Sequence, residues 1–240
     1  MKSKQPLVQT RDTLIHIGVA DIMLNGFYKG HYSFEDLKQY GDFGIGAPEH
    51  LDGEMVMLDG KVYQTIYTGA TFEAPGATKA ALAFVHFFEQ DRAYSFDAPL
   101  KREALYAVLH SQVKRNEPTA ICIRGHFSYV CTRAFPPVQQ YPAPTLQAMA
   151  HLQRYFVYHD LPGALVGYYI PEFLKGINVA GFHFHFLADD KKAGGHLVDF
   201  HLRKGHAQLD AIYQLGVLLP PLPEYPSFEG GLQTTEGIVQ

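Results

Sequence analysis

The stretch Gly181-Phe182-His183-Phe184-His185-Phe186-Leu187-Ala188-Asp189-Asp190-Lys191-Lys192-Ala193-Gly194-Gly195-His196 constrains this chain more than any other. Its first half alternates strictly, which predicts a β-strand with histidines on one face and phenylalanines on the other. Side chains two apart in a strand share a face, roughly 6.5–7 Å apart along the backbone. Two imidazoles at that spacing can converge on one metal ion. Asp189 to Gly195 reads as a turn, with Gly194-Gly195 free to adopt positive φ. His196 then opens the returning strand and offers a third imidazole. Three neutral histidines with an open position describe a catalytic zinc-type site rather than a closed structural one. The chain holds 13 histidines, so a His-x-His pair also arises by chance, and strand histidines often only hydrogen-bond. The phenylalanine face favours the metal reading, because it anchors the strand in a core and aims both imidazoles the other way.

At 240 residues the chain can bury a substantial core, as one large domain or two small ones. A net charge of −4 and the lack of any Lys/Arg-rich run argue against a nucleic-acid partner. The apolar runs fall short of the ~20 residues of a membrane helix. Met1-Lys2-Ser3-Lys4-Gln5-Pro6 lacks the apolar core of a secretory signal, so the expectation is a cytoplasmic protein with no membrane partner. Cys122 and Cys131 fit no zinc or redox spacing and fall in one predicted strand, so they read as reduced packing residues.

Along the chain, Thr13–Ile17 alternates like a short strand and Val19–Phe27 reads as a helix ending near Gly26. Ser33-Phe34-Glu35-Asp36 resembles a helix start, with Gly41 as its stop. Leu51–Leu58, Asp59-Gly60 and Lys61–Tyr67 predict a hairpin, Asp-Gly being a strong turn signal between β-prone runs. Glu54 stands at its start, a position where glutamates are usually solvated. Thr68–Lys79 reads as a loop and Ala80–Phe88 as a strand buried on both faces. Pro99–Val113 is the clearest helix, with Leu105, Val108, Leu109 and Val113 on one stripe. Ala120–Phe135 reads as a long strand, bulged at Gly125, that carries Arg124 and Arg133; a buried arginine there would need an anionic partner. Further expectations are a helix over Leu146–Val157, a strand over Ala164–Ile170, the metal-site hairpin over Val179–Leu202 and a strand over Ala207–Leu219. Pro48-Glu49-His50-Leu51-Asp52-Gly53 is echoed by Pro171-Glu172-Phe173-Leu174-Lys175-Gly176, which suits two similar halves divided near Asp97. Gly44-Ile45-Gly46 is not completed to a dinucleotide fingerprint, and there is no phosphate loop, Gly-x-Ser-x-Gly elbow or His-Glu-x-x-His. The metal is the only cofactor these motifs suggest.

The motifs taken together resemble the α-acetolactate decarboxylases. Gly-Phe-His-Phe-His-Phe followed by Gly-Gly-His is similar to that family's metal motif, and Leu51-Asp52-Gly53-Glu54 to its N-terminal glutamate motif. Cys131-Thr132-Arg133 sits where its active-site arginine is expected, and Thr234-Thr235-Glu236-Gly237 is similar to its C-terminal glutamate motif. Ala47 departs from the pattern, since the family carries a threonine there. The resemblance implies metal-dependent decarboxylation of 2-acetolactate to (R)-acetoin and carbon dioxide in a homodimer. It assigns His183, His185 and His196 as ligands of Zn2+ or another divalent metal, with Glu54, Arg133 and Glu236 as catalytic residues. The fold expected is α+β (mixed α/β), two similar β-sheet domains with a few helices. Residues 1–97 would carry the Glu54 motif, and residues 98–240 the metal hairpin and a tail covering the site. Three other classes compete: a three-histidine oxygenase, a metal-dependent sensor for a hydroxy-keto acid, and a structural metal site.

Overall fold

A computed structural model of the chain describes residues 11–230. Among these residues thirteen strands form two sheets accompanied by three α-helices, an α+β arrangement. The first sheet has the order β13-β1-β6-β2-β3-β4-β5, built from β1 (Thr13–Ile17), β2 (Phe43–Pro48), β3 (Glu54–Leu58), β4 (Lys61–Thr65), β5 (Thr71–Glu73), β6 (Ala80–His86) and β13 (Gln214–Leu218). The second has the order β11-β10-β9-β12-β7, from β7 (Arg92–Phe96), β9 (Thr119–Ala134), β10 (Arg154–Ile170), β11 (Gly181–Ala188) and β12 (Gly194–Ala211); β8 (Leu100–Lys101) pairs with β12. Because β11 hydrogen-bonds to both β10 and β12, the four strands β11-β10-β9-β12 close on themselves.

The alternation of each strand decides what it faces. On β3, Val56 and Leu58 point into the core between the sheets, while Met55 and Met57 pack outward with Phe34 and Leu37 of α2 (Phe34–Leu37). Glu54 shares parity with Val56, so it too faces the second sheet. On β11, Phe184 and Phe186 pack with Leu105 and Leu109 of α3 (Arg102–Gln112), and Leu187 joins the inter-sheet core. His183 and His185 therefore project between the sheets. Helix α1 (Ala20–Leu24) contributes Met23 and Leu24 to the same inter-sheet core. Asp59 and Gly60 turn the β3–β4 hairpin with φ of 53° and 73°, the left-handed pair such a turn needs. The helix start expected at Ser33-Phe34-Glu35-Asp36 is present, closed by a capping box between Ser33 and Asp36.

Several expectations are corrected. No helix covers Leu146–Val157: a 3-10 turn at Ala150–Leu152 leads straight into β10, which begins at Arg154. Leu146 and Met149 are buried by single turns, and the aromatic run from Tyr155 pairs with β9 instead. Thr68–Lys79 is not all loop, since Thr71–Glu73 adds the edge strand β5. Ala207–Leu219 is two strands in different sheets, separated where Tyr213 and Gln214 bond to the Asp12 carbonyl. The irregularity predicted at Gly125 lies on the facing strand β12, between Leu202 and Lys204. Gly44-Ile45-Gly46 is a central strand; a Cβ at Gly46 would stand 2.2 Å from the Leu82 carbonyl oxygen, so glycine lets β6 lie close. The echoed hexapeptides both form 3-10 turns, closed by Gly53 (φ 88°) and Gly176 (φ 93°). Across residue 97 the sheets exchange a strand: β7 belongs to the second sheet and β13 to the first. Among the described residues no helix is long and apolar enough to cross a membrane.

Candidate metal centre

Four strands bring the site together. His185 on β11 is in register with His196 on β12, which is in register with Arg133 on β9. His183 lies two residues back along β11 on the same face, and Glu54 of β3 reaches in from the other sheet. All five line one cavity between the sheets, walled by Met23, Leu24, Leu82, Phe84, Leu146 and other apolar groups. The three imidazole rings form a near-equilateral triangle, with centroids 5.0, 5.2 and 5.3 Å apart. One nitrogen from each ring lies within 4.8 Å of the other two. His183 Nε2 and His196 Nδ1 stand 3.4 Å apart. That separation fits two ligands about 2.0–2.1 Å from a shared tetrahedral ion.

The electrostatics suit a cation. Burial holds all three histidines below their ordinary range, with the Arg133 charge adding to the effect; His185 is lowered to about 3. Neutral imidazoles keep their lone pairs for a metal at physiological pH. His185 donates its Nδ1 hydrogen to the Met55 carbonyl at 2.8 Å, leaving the Nε2 lone pair available to a metal. His183 Nδ1 is buried with no hydrogen-bond partner among the described residues. The donor set, three uncharged nitrogens with a carboxyl beside them, therefore fits a divalent metal of the zinc type.

Glu54 is 7 % exposed, and burial raises its carboxyl to about 8, opposed by the charge of Arg133. Its Oε2 lies 3.4 Å from His185 Nε2. With the carboxyl raised and the imidazole lowered, this contact is between neutral groups at pH 7 rather than an ion pair. Arg133 is 6 % exposed, and its guanidinium lies 5.1 Å from the Phe135 ring centre. The cavity thus carries one fixed positive charge beside a neutral acid, a setting that receives an anion.

Arg124, the other arginine of the strand, donates from Nη2 to both carboxylate oxygens of Asp59, at 2.9 and 3.0 Å, and does not line this cavity. Ala47 lines it, presenting a methyl group. Glu236 lies outside the described residues. Cys122 and Cys131 are free and buried. Nothing in the sequence points to the Met55 carbonyl, because a main-chain group carries no residue signature.

The family model described as alpha-acetolactate decarboxylase matches residues 14–229. An alpha-acetolactate decarboxylase of Methanosarcina mazei is 34% identical over 232 residues, covering 95% of this chain and 79% of the relative. That of Klebsiella aerogenes is 35% identical over 202 residues, covering 82% and 76%. The crystal structure of alpha-acetolactate decarboxylase from Bacillus subtilis strain 168 superposes with a TM-score of 0.88 at 27% identity, over 94% of this chain and 96% of that one.

Proposed function

The chain belongs to the alpha-acetolactate decarboxylase family and is an enzyme that decarboxylates acetolactate; from that premise we propose that it works through a divalent metal held by His183, His185 and His196. The observation that carries this reading is the convergence of three neutral, buried imidazole nitrogens within 4.8 Å of one another. Bound there, the cation would supply Lewis acidity to the substrate's ketone and hydroxyl oxygens. Zinc is proposed because the nitrogen donors and the open position suit it.

The remaining roles fall to the chain's own side chains. Arg133 faces the substrate carboxylate with a planar fork of donors and orients it for departure. The C–C bond to that carboxylate breaks, carbon dioxide leaves, and the electron pair remains on the hydroxyl-bearing carbon, conjugated with the ketone. Glu54, kept protonated by burial, donates its proton to that carbon and yields acetoin. Delivery from one side gives one enantiomer, proposed as (R)-acetoin. The apolar walls exclude bulk water, which strengthens every charge interaction inside. Glu236 is proposed as a second carboxyl from the tail; an unchanged rate after truncation behind Gln233 would remove it from the mechanism.

A homodimer is also proposed. It is supported by the edge strand β13, which leaves Leu215 and Val217 exposed beside Tyr213 and Leu219. Sedimentation that shows only monomer at micromolar concentration would refute it.

The deciding experiment measures acetoin formed from racemic 2-acetolactate before chelation, after chelation and after zinc is restored. Activity lost and regained with the metal is the expected result. Undiminished turnover by metal-free protein would overturn the metal role.

A further inference from the structure

The pairing of β11 with β12 runs only from His185↔His196 to Leu187↔Gly194. Beyond His185 the strands part: His183 pairs with Tyr168 on β10, and Leu197 with Thr132 on β9. The gap they leave is covered by α3 rather than by backbone. Beneath α3 lies a second cavity of about 290 Å³, against about 40 Å³ for the cavity between the sheets. Both exceed the roughly 10–15 Å³ needed to hold a water, and the chamber is by far the roomier. His183 and His196 line both, so these two rings are the partition between them.

The two sides differ in chemistry as well as size. A hydrated cation approaching between the sheets must pass Met23, Leu24, Leu82, Phe135 and Leu146, hydrocarbon that replaces none of its water contacts. The chamber instead offers Arg102, Glu103 and His110 along with Tyr106 and Phe182. The Arg102 charge is met there twice, by Glu103 at 3.2 Å and by Asp199 at 3.9 Å. Glu103, largely exposed at the rim, offers a carboxylate to an arriving cation, with Arg102 and Lys101 as the basic groups beside it.

We propose that the chamber beneath α3 is the route by which a hydrated divalent cation enters and leaves the three-histidine centre. The proposal rests on the reading of His183, His185 and His196 as ligands. It separates two traffic streams: the metal exchanges through the polar chamber, and the organic substrate occupies the apolar cavity on the other side of the rings. A route lowers the barrier in both directions, so obstructing it slows loading and release alike and leaves the equilibrium affinity unchanged.

The test uses full-length chain freed of metal by chelation, with Zn2+ alone as the probe. Loading is followed by competition with a fluorescent zinc indicator, and release by transfer to excess chelator. Ala180→Trp fills the chamber at the start of β11 and should slow both rates on the order of ten-fold, about 1.4 kcal/mol on each barrier, with affinity unchanged. Glu103→Lys changes only the exposed rim; it should slow loading at low ionic strength and converge on wild type at high salt. Wild-type rates in both variants overturn the route, as does a loss of affinity without a matching change in the two rates. Failure of the unaltered metal-free chain to take up any divalent cation would overturn the metal centre itself, and the route with it.

Discussion

His185 on β11 donates its Nδ1 hydrogen to the carbonyl oxygen of Met55 on β3, 2.8 Å away across the interface of the two sheets. A main-chain oxygen held in a strand cannot rotate away, so the ring is locked in one tautomer with Nε2 turned toward His183 and His196. The same strand places Glu54 one residue earlier, on the alternate face, with its Oε2 3.4 Å from His185 Nε2. One hydrogen bond thus aligns the metal site of one sheet with the acid of the other.

Replacing His185 with Ala removes both the ligand and this link. Metal content after dialysis and acetoin formation should fall together, and zinc affinity should drop by more than the roughly 10–100-fold typical of losing only an outer-shell partner. Plasma emission spectrometry on the dialysed protein checks it. Stoichiometric zinc in His185→Ala would remove this residue from the ligand set.

Glu54→Gln keeps the shape of the carboxyl and discards its proton. The expected result is normal zinc content with kcat lower by about 10²–10⁴, the usual worth of a positioned acid. The alkaline limb of the kcat profile belongs to this group, because only the protonated form donates and activity is lost as pH rises through its pKa. Burial sets that value at about 8 in the metal-free chain, and a cation beside it acts in the opposite direction to burial. The limb should therefore fall below pH 8 in the loaded enzyme and vanish in Glu54→Gln; a limb that survives the substitution would assign it elsewhere.

The hairpin that holds the histidines was legible because its signal is local. Phe182 to Phe186 alternates and His196 returns beside His185, although the chain turns between Asp189 and Ala193 and the two glycines foreseen as the turn already pair in β12. The direction of Glu54 was not legible: a glutamate that opens a hairpin is usually solvated, and both faces of β3 are buried. What it points at was hidden, because the pairing of two sheets is a relation between residues 130 positions apart. The same limit explains β7 and β13, whose partners lie far along the chain, and β10, whose first half forms because Tyr155 to Tyr158 find β9. Apolar spacing at Leu146, Met149 and Leu152 imitates a helix within a window too short to exclude isolated turns.

In the proposed mechanism Arg133 reads the charge of the substrate by shape as well as sign. Arg133→Lys keeps one positive charge and loses the planar fork, so kcat/KM should fall by at least about ten-fold with zinc content unchanged. Arg133→Ala leaves the substrate carboxylate without a counter-charge and should be the more damaging of the two. Equal kcat/KM for wild type and Arg133→Lys would mean that the group acts only as a point charge.

Acid sensitivity has a source outside the centre, at His16 on β1. Its ring is fully buried; Nδ1 donates to the Gly216 carbonyl at 3.3 Å, and Nε2 accepts from Asn178 Nδ2 at 3.1 Å. The Asn178 bond requires the neutral form, and burial lowers the pKa to about 4 against an unfolded value of 6.5, the Gly216 carbonyl opposing the shift. Between these values the unfolded chain takes up a proton that folded His16 refuses, so stability present above pH 6.5 is lost as pH falls toward 4. The span corresponds to roughly 3 kcal/mol. His16→Gln retains a donor and an acceptor but does not titrate. Urea unfolding of the two proteins from pH 7 to pH 4.5 should show a shallower loss in the variant, and the difference isolates His16 from the three site histidines that both proteins share. Parallel loss in both would show that burial and Asn178 do not hold the ring neutral.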